Sequence, residues 1–122
     1  MARDASLFGI GADDDAPPPR LVTLARALGD ERRLRILRRL TAGSFTLQEL
    51  ADDFGVPKTT LLHHLVILRS AGLVRVEAGA NGRYSVQPGT PAELHRLLDR
   101  YLPAVPGLRT DFVRKDDAGR SD

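Results

Sequence analysis

Between residues 46 and 74 the apolar positions fall into two helical registers separated by a short break, TLQELADDFGVPKTTLLHHLVILRSAGLV. Leu47, Leu50, Ala51 and Phe54 recur at the spacing that lines one face of a helix. Thr46 followed by Glu49 is the signature of a capping box, in which hydroxyl and carboxylate each satisfy an orphan amide at the helix start. Gly55 can turn left-handed after the helix end, and Pro57 can open a second helix without losing a hydrogen bond. On a wheel of about 100° per residue, Leu61, Leu65 and Leu68 share an arc of about 60°, flanked by His64 and Ala71, with Ile67 further round. Thr59, Leu62, His63, Val66 and Ser70 face the other way, with Lys58 at the border in the first turn. The pattern predicts a short helix, a tight turn and a second helix over 57–71, which is a helix-turn-helix.

The flanking segments read as support for this pair. A helix over 20–28 carries Leu21, Leu24, Ala25 and Leu28 on one stripe, closed by Gly29. Asp30 caps a second helix over 31–42, whose apolar arc is Leu34, Ile36, Leu37 and Leu40. Arg32, Arg35, Arg38 and Arg39 cluster on its other side as a solvated face, whereas Arg33 falls inside the apolar arc and needs a partner, expected to be an acid. Leu73, Val74 and Val76, then Tyr84 and Val86, show strand preference around Gly79-Ala80-Asn81-Gly82, and Asn-Gly is a strong hairpin signal. Thr90 followed by Glu93, with Pro91 between, predicts a second capping box and a last helix over 90–102. Its stripe of Leu94, Leu97, Leu98 and Tyr101 repeats the spacing of Leu21, Leu24, Ala25 and Leu28. Two matching stripes exceed what so small a domain needs, so Leu21, Leu24, Leu28, Leu94, Leu97, Leu98 and Tyr101 are expected to form a homodimer interface.

Composition adds a boundary and a sign. Residues 1–19, with an Asp run and Pro17-Pro18-Pro19, and residues 103–122 are too poor in apolar surface to order themselves and are expected to be tails around one domain over 20–102. That domain holds 13 Lys and Arg against 8 Asp and Glu, a formal +5, while the two tails hold 5 against 8, a formal −3. The whole-chain value of +2 hides this asymmetry, and a basic domain suits a polyanionic partner. The chain has no cysteine, which excludes disulfides and thiolate metal sites. No run of 18 apolar residues offers a membrane span, and the acidic N-terminal segment is unlike a secretion signal, so the expected location is the cytoplasm.

The ordered set ALGDERRLRILRRL, LQELADDFGVPKTTLLHHLVILRSAGLVRV, a glycine-rich hairpin and RYSV resembles the ArsR family of bacterial regulators over residues 20–102. The resemblance implies a mostly α fold with a small β-hairpin, a winged helix-turn-helix in the order α-α-α-α-β-β-α. It also implies a homodimeric transcriptional regulator, a repressor, that binds double-stranded DNA. The helix over 57–71 would then read DNA, with Lys58, Thr59, Leu62 and His63 at base edges and Thr60, His64 and Arg83 at phosphates or the minor groove. Arg75 and Arg83 flank the hairpin, as a wing lying along the DNA backbone requires.

Metal-sensing members of the family would carry a thiolate pair near Leu47 to Leu50, where this chain has none. Glu93, His95 and Asp99 are only a weak echo of a carboxylate-histidine site, so no metal or other cofactor is expected. His63 and His64 point to different faces and have no nucleophile at useful spacing, so no enzymatic activity is expected. Two alternatives stand beside the regulator: a winged helix that binds protein rather than DNA, and the DNA-binding part of a longer regulator. No effector can be read from the residues.

Overall fold

The computed structural model describes residues 15–79 and 81–103, so the segments expected as tails lie outside the described residues except for 15–19 and Pro103. The order is α1 (Pro19–Leu28), α2 (Glu31–Leu40), β1 (Phe45–Thr46), α3 (Leu47–Phe54), α4 (Lys58–Ser70), β2 (Val74–Val76), β3 (Arg83–Val86) and α5 (Thr90–Tyr101). The fold is mostly helical with a small antiparallel sheet, strand order β1-β3-β2. The two-residue strand β1, too short to show any period, pairs Phe45 with Tyr84 and Thr46 with Arg83.

Local chemistry fixes the elements that carry the helix-turn-helix. The Thr46 hydroxyl accepts from the Glu49 amide at 3.1 Å while the Glu49 carboxylate accepts from the Thr46 amide at 2.9 Å, so the capping box of α3 is complete. Gly55 ends that helix at φ 64°, a left-handed conformation that a side chain disfavours. Asp30 caps α2 by accepting from the Arg32 and Arg33 amides. That helix stops at Leu40 rather than Ala42: the Ala42 and Gly43 amides reach back only three residues, and the Thr41 hydroxyl donates to the Arg38 carbonyl at 2.6 Å.

The expected capping box of α5 does not form. The helix begins at Thr90, one residue earlier than that motif requires, because both side chains are engaged elsewhere. Buried Thr90 donates to the Gly72 carbonyl at 2.7 Å, and the Glu93 carboxylate accepts from Arg20 Nε and Nη2 at 3.0 and 3.1 Å. Arg20 Nη1 also donates to the Ala71 carbonyl at 2.6 Å, so one guanidinium joins α1, α5 and the C-terminal end of α4. The hydrogen-bonded pairing holds the Glu93 carboxyl below its ordinary range and raises the Arg20 guanidinium.

The core is an aliphatic cluster in which Leu24, Leu50, Leu61, Leu65 and Leu68 are fully buried. Each such leucine contributes about 1.5–3 kcal/mol by leaving water. Ile36 and Leu40 are buried and Leu37 is half-buried, but Leu34, expected beside them, is 49% exposed. On the helical wheel Ile36, Leu40, Arg33 and Leu37 span about 100°, and Leu34 lies about 60° beyond them. Arg33 therefore occupies the middle of the buried arc.

The hairpin is located by its Asn-Gly pair but is not turned by it. No non-glycine residue has positive φ among the described residues, and Gly79 rather than Gly82 takes the unusual angle, φ 139°. Gly82 serves close approach instead: a Cβ there would lie 2.9 Å from Val76 Cγ2.

Candidate nucleic-acid interface

Helix α4 is held to the core by Leu61, His64, Leu65 and Leu68 and turns its other side outward. Lys58, Thr59, Leu62, His63, Val66 and Ser70 are exposed and Thr60 is half-buried, with Leu62 and Val66 at 40% and 53%. A face that leaves two aliphatics in water beside short polar groups and a lysine has the chemistry to meet thymine methyls, base edges and phosphates. The N-terminus of α4 has Pro57 at its cap, no side-chain hydrogen bond to its first amides and no acid in its first turn. Those amides and the positive end of the helix dipole are thus open to an anion.

A cleft of about 500 Å³ lies beside this end, between the start of α3 and the hairpin, and its lining includes Gln48, Lys58, Asn81 and Arg83. Two cations and two amide side chains along one opening form a donor-rich strip suited to phosphate oxygens. Arg83 anchors the hairpin as well as lining the cleft: Nε donates to Ser44 Oγ at 3.0 Å, Nη2 donates to the Ser44 carbonyl at 2.7 Å, and Nη2 lies 3.5 Å from Glu49. Its side chain remains 42% exposed. Arg75 is exposed on the neighbouring strand.

His64, expected at phosphates or the minor groove, is instead buried on the core side of α4 rather than on its outward face. Arg33 Nη1 lies 3.3 Å from His64 Nδ1. An arginine can only donate, so Nδ1 accepts and the neutral ring carries its proton on Nε2. Burial pushes the His64 pKa down, against the pull of Asp30 and with the help of the Arg32, Arg33 and His63 charges. Arg33 makes the expected ion pair with an acid, Asp30 at 3.9 Å, and has shorter contacts besides: Nε donates to the Ala27 carbonyl at 2.6 Å and Nη2 to the Arg26 carbonyl at 3.3 Å. Two of the exposed arginines of α2 are likewise occupied, Arg35 with Glu31 at 2.7 Å and Arg39 with Asp53 at 2.8 Å, the latter also stacked over Phe45.

The residues expected at a dimer interface divide. Leu21 and Leu24 lie inside the protomer's own core, because α1 packs against α2, α4 and α5, and they are not available to a second copy. Leu28, Leu94 and Leu97 are half-buried against that core. Leu98 and Tyr101 are each 37% exposed and Leu102 is 61% exposed, so the open apolar surface belongs to the outer side and end of α5. The Arg20 and Thr90 contacts, like strand β1, join residues far apart in the chain and leave no local signal.

Comparison with known proteins accords with this geometry. A helix-turn-helix domain family matches residues 28–77. The chain is 34% identical over 76 residues to a helix-turn-helix transcriptional regulator of Methanocaldococcus jannaschii, covering 61% of this chain and 85% of that protein. It is 35% identical over 95 residues to the transcriptional repressor SmtB of Mycobacterium tuberculosis, covering 74% of this chain and 63% of SmtB. Among solved structures it is similar to the homodimeric winged helix-turn-helix DNA-binding domain of a possible ArsR-family regulator from Mycobacterium bovis. That match has 27% identity and a TM-score of 0.58, with 81% of this chain and 83% of that one covered. Sequence, fold and exposed chemistry agree, and the chain belongs to the ArsR family of winged helix-turn-helix, DNA-binding transcriptional regulators.

Proposed function

We propose that the protein is a homodimeric repressor that binds a two-fold operator in the cytoplasm, reading each half-site with α4 and bracing the adjacent backbone with the hairpin. The observation that carries this reading is the outward face of α4, where Lys58, Thr59, Leu62 and His63 stand together near an uncapped helix start. Lys58, Thr59, Leu62 and His63 are assigned to base edges in the major groove. Thr60 and Arg83 are assigned to phosphates, and the exposed side of α5 around Leu98 and Tyr101 to the second copy. Repression is supported by the similarity to SmtB, named a repressor, and dimerisation by the homodimeric Mycobacterium bovis domain.

The test begins with selection of bound sequences from a random duplex pool. Lys58→Ala and His63→Ala are then titrated against selected and scrambled duplexes at several salt concentrations. Each is expected to cost about 1–3 kcal/mol on the selected site and to relax preference at one position per half-site. Arg83→Ala is expected to weaken both duplexes alike and reduce the salt slope by about one. If Lys58→Ala and His63→Ala both leave affinity and selectivity unchanged, α4 is not the reading element.

A further inference from the structure

A cavity of about 320 Å³ opens between α2, the end of α3 and the inner edge of α4, on the side of the reading helix away from the hairpin cleft. Ile36, Phe54, Val56 and Leu61 make its wall apolar. Its polar edge carries donors: the Arg32 guanidinium, the Thr60 hydroxyl and the His64 ring. Arg32 is 69% exposed and, among the described residues, its guanidinium makes no hydrogen bond, only a 3.7 Å approach to Asp30. His64 is 6% exposed with Nδ1 taken by Arg33, so its Nε2 proton is left without a protein partner. No buried side-chain nitrogen or oxygen lacks a partner among the described residues, so Nε2 keeps solvent contact, and the cavity is the opening that the ring lines. The acid at the mouth, Glu31, is already neutralised by Arg35 at 2.7 Å.

We propose that this cavity binds a small amphipathic carboxylate, its apolar body against Ile36, Phe54, Val56 and Leu61 and its carboxylate accepting from Arg32, Thr60 and His64. A volume at the lower end of ligand sites, an apolar wall and convergent donors with no unpaired acid favour an anion with a short hydrocarbon body over a cation or a neutral polyol. The ligand touches α2 on one side and the first two turns of α4 on the other. It also brings negative charge beside Thr60 and the helix end assigned to phosphates. Binding of the carboxylate and binding of DNA are therefore antagonistic, each weakening the other by the same factor. This second half rests on the DNA-binding reading above, whereas the site itself does not.

Octanoate is the probe, with octanol as the same body lacking the charge, titrated into the full chain without DNA and followed by two-dimensional NMR. Octanoate is expected to give saturable shifts confined to Ile36, Val56, Leu61 and the His64 ring, with octanol at least about tenfold weaker. Arg32→Gln, a change at an exposed position, is expected to weaken octanoate about tenfold and leave octanol unaltered. Val56→Trp is expected to fill the cavity and abolish both. Shifts scattered over the exposed side of α5, equal binding of octanol, or no effect of Arg32→Gln would each overturn the site, and these outcomes hold even if Val56→Trp does not fold. Adding octanoate to the selected duplex complex is expected to lower duplex affinity in the unmutated protein and much less in Arg32→Gln. Unchanged duplex affinity with the cavity occupied would overturn the antagonism. Absence of any duplex binding would instead sink the DNA reading and leave the cavity to be decided by the titration alone.

Discussion

Replacing Arg33 with methionine tests the junction at which α1, α2 and α4 meet. The side chain is 13% exposed and donates to the Ala27 carbonyl at 2.6 Å, to the Arg26 carbonyl at 3.3 Å and to His64 Nδ1 at 3.3 Å. Both carbonyls belong to the last turn of α1, where the Arg26 carbonyl also accepts from the Gly29 amide at 3.2 Å and the Ala27 carbonyl relies on Arg33. A hydrogen bond from a charged donor contributes about 1.5–3 kcal/mol when well made, and a buried group left unpaired costs about 1–3 kcal/mol. The short bond to Ala27 counts nearly in full. The two at 3.3 Å count for less, and the exposed Arg26 carbonyl recovers water. Methionine keeps the packing of the alkyl stem, so the expected loss is about 2–4 kcal/mol, a large part of the 5–15 kcal/mol typical of a domain. Urea unfolding followed by circular dichroism measures it, with Arg32→Met as an exposed control expected within about 0.5 kcal/mol.

The same substitution carries a signature in pH. Burial, with the Arg32, Arg33 and His63 charges, holds His64 below its ordinary pKa, only Asp30 opposing. The unfolded chain takes up a proton near pH 6.5, whereas the folded chain resists until a lower pH. Between those two values the unfolded state binds more protons, so stability is intact above about pH 6.5 and falls as the pH drops through the window. Arg33→Met removes one of the charges that depress the ring, so His64 should titrate closer to its ordinary value. A variant that unfolds within about 0.5 kcal/mol of the unmutated protein, with His64 titrating unchanged, would refute this account of the junction.

Other substitutions probe separate contacts. Thr90→Val keeps the shape of a buried residue but removes its 2.7 Å bond to the Gly72 carbonyl, and the urea midpoint should fall by the equivalent of about 1–2 kcal/mol. Gly82→Ala places a methyl 2.9 Å from Val76 Cγ2 and should destabilise by about 1 kcal/mol while weakening selected and random duplexes alike, as read by unfolding and duplex titration. Leu98→Asp, on the exposed side of α5, should convert a dimer to monomer in light scattering without loss of helical signal. A strictly monomeric unmutated protein at micromolar concentration would remove the premise of that last experiment.

Two capping motifs show where the residues alone were sufficient and where they were not. Thr46 and Glu49 satisfy each other's backbone within one helical turn, so nothing distant was needed to read α3. Thr90 and Glu93 present the same spacing, yet Gly72 and Arg20 claim them, and neither partner is a sequence neighbour. The stripe Leu61, Leu65 and Leu68 was legible because a buried helix face repeats along the chain. His64 sat at the edge of that stripe, and only the approach of Arg33 and the end of α1 decides that it faces inward. Leu21 and Leu24 follow the same logic: periodicity marks a face to be covered but does not say whether the cover comes from the same chain or another.

The three bonds made by the Arg20 guanidinium have a mechanical consequence. They pin α1, the first turn of α5 and the Ala71 carbonyl at the C-cap of α4 to one planar group, tying the outer helices to the far end of α4. In a dimer joined through α5, any tilt at the two-fold axis then passes along a stiff lever to both reading helices rather than being absorbed on the way. Such a molecule gauges the separation of its half-sites strictly, tolerating little insertion or deletion of base pairs between them. Arg20→Ala would slacken the lever, and the tolerance of such a dimer for altered spacing would broaden before its affinity for the correctly spaced site declined.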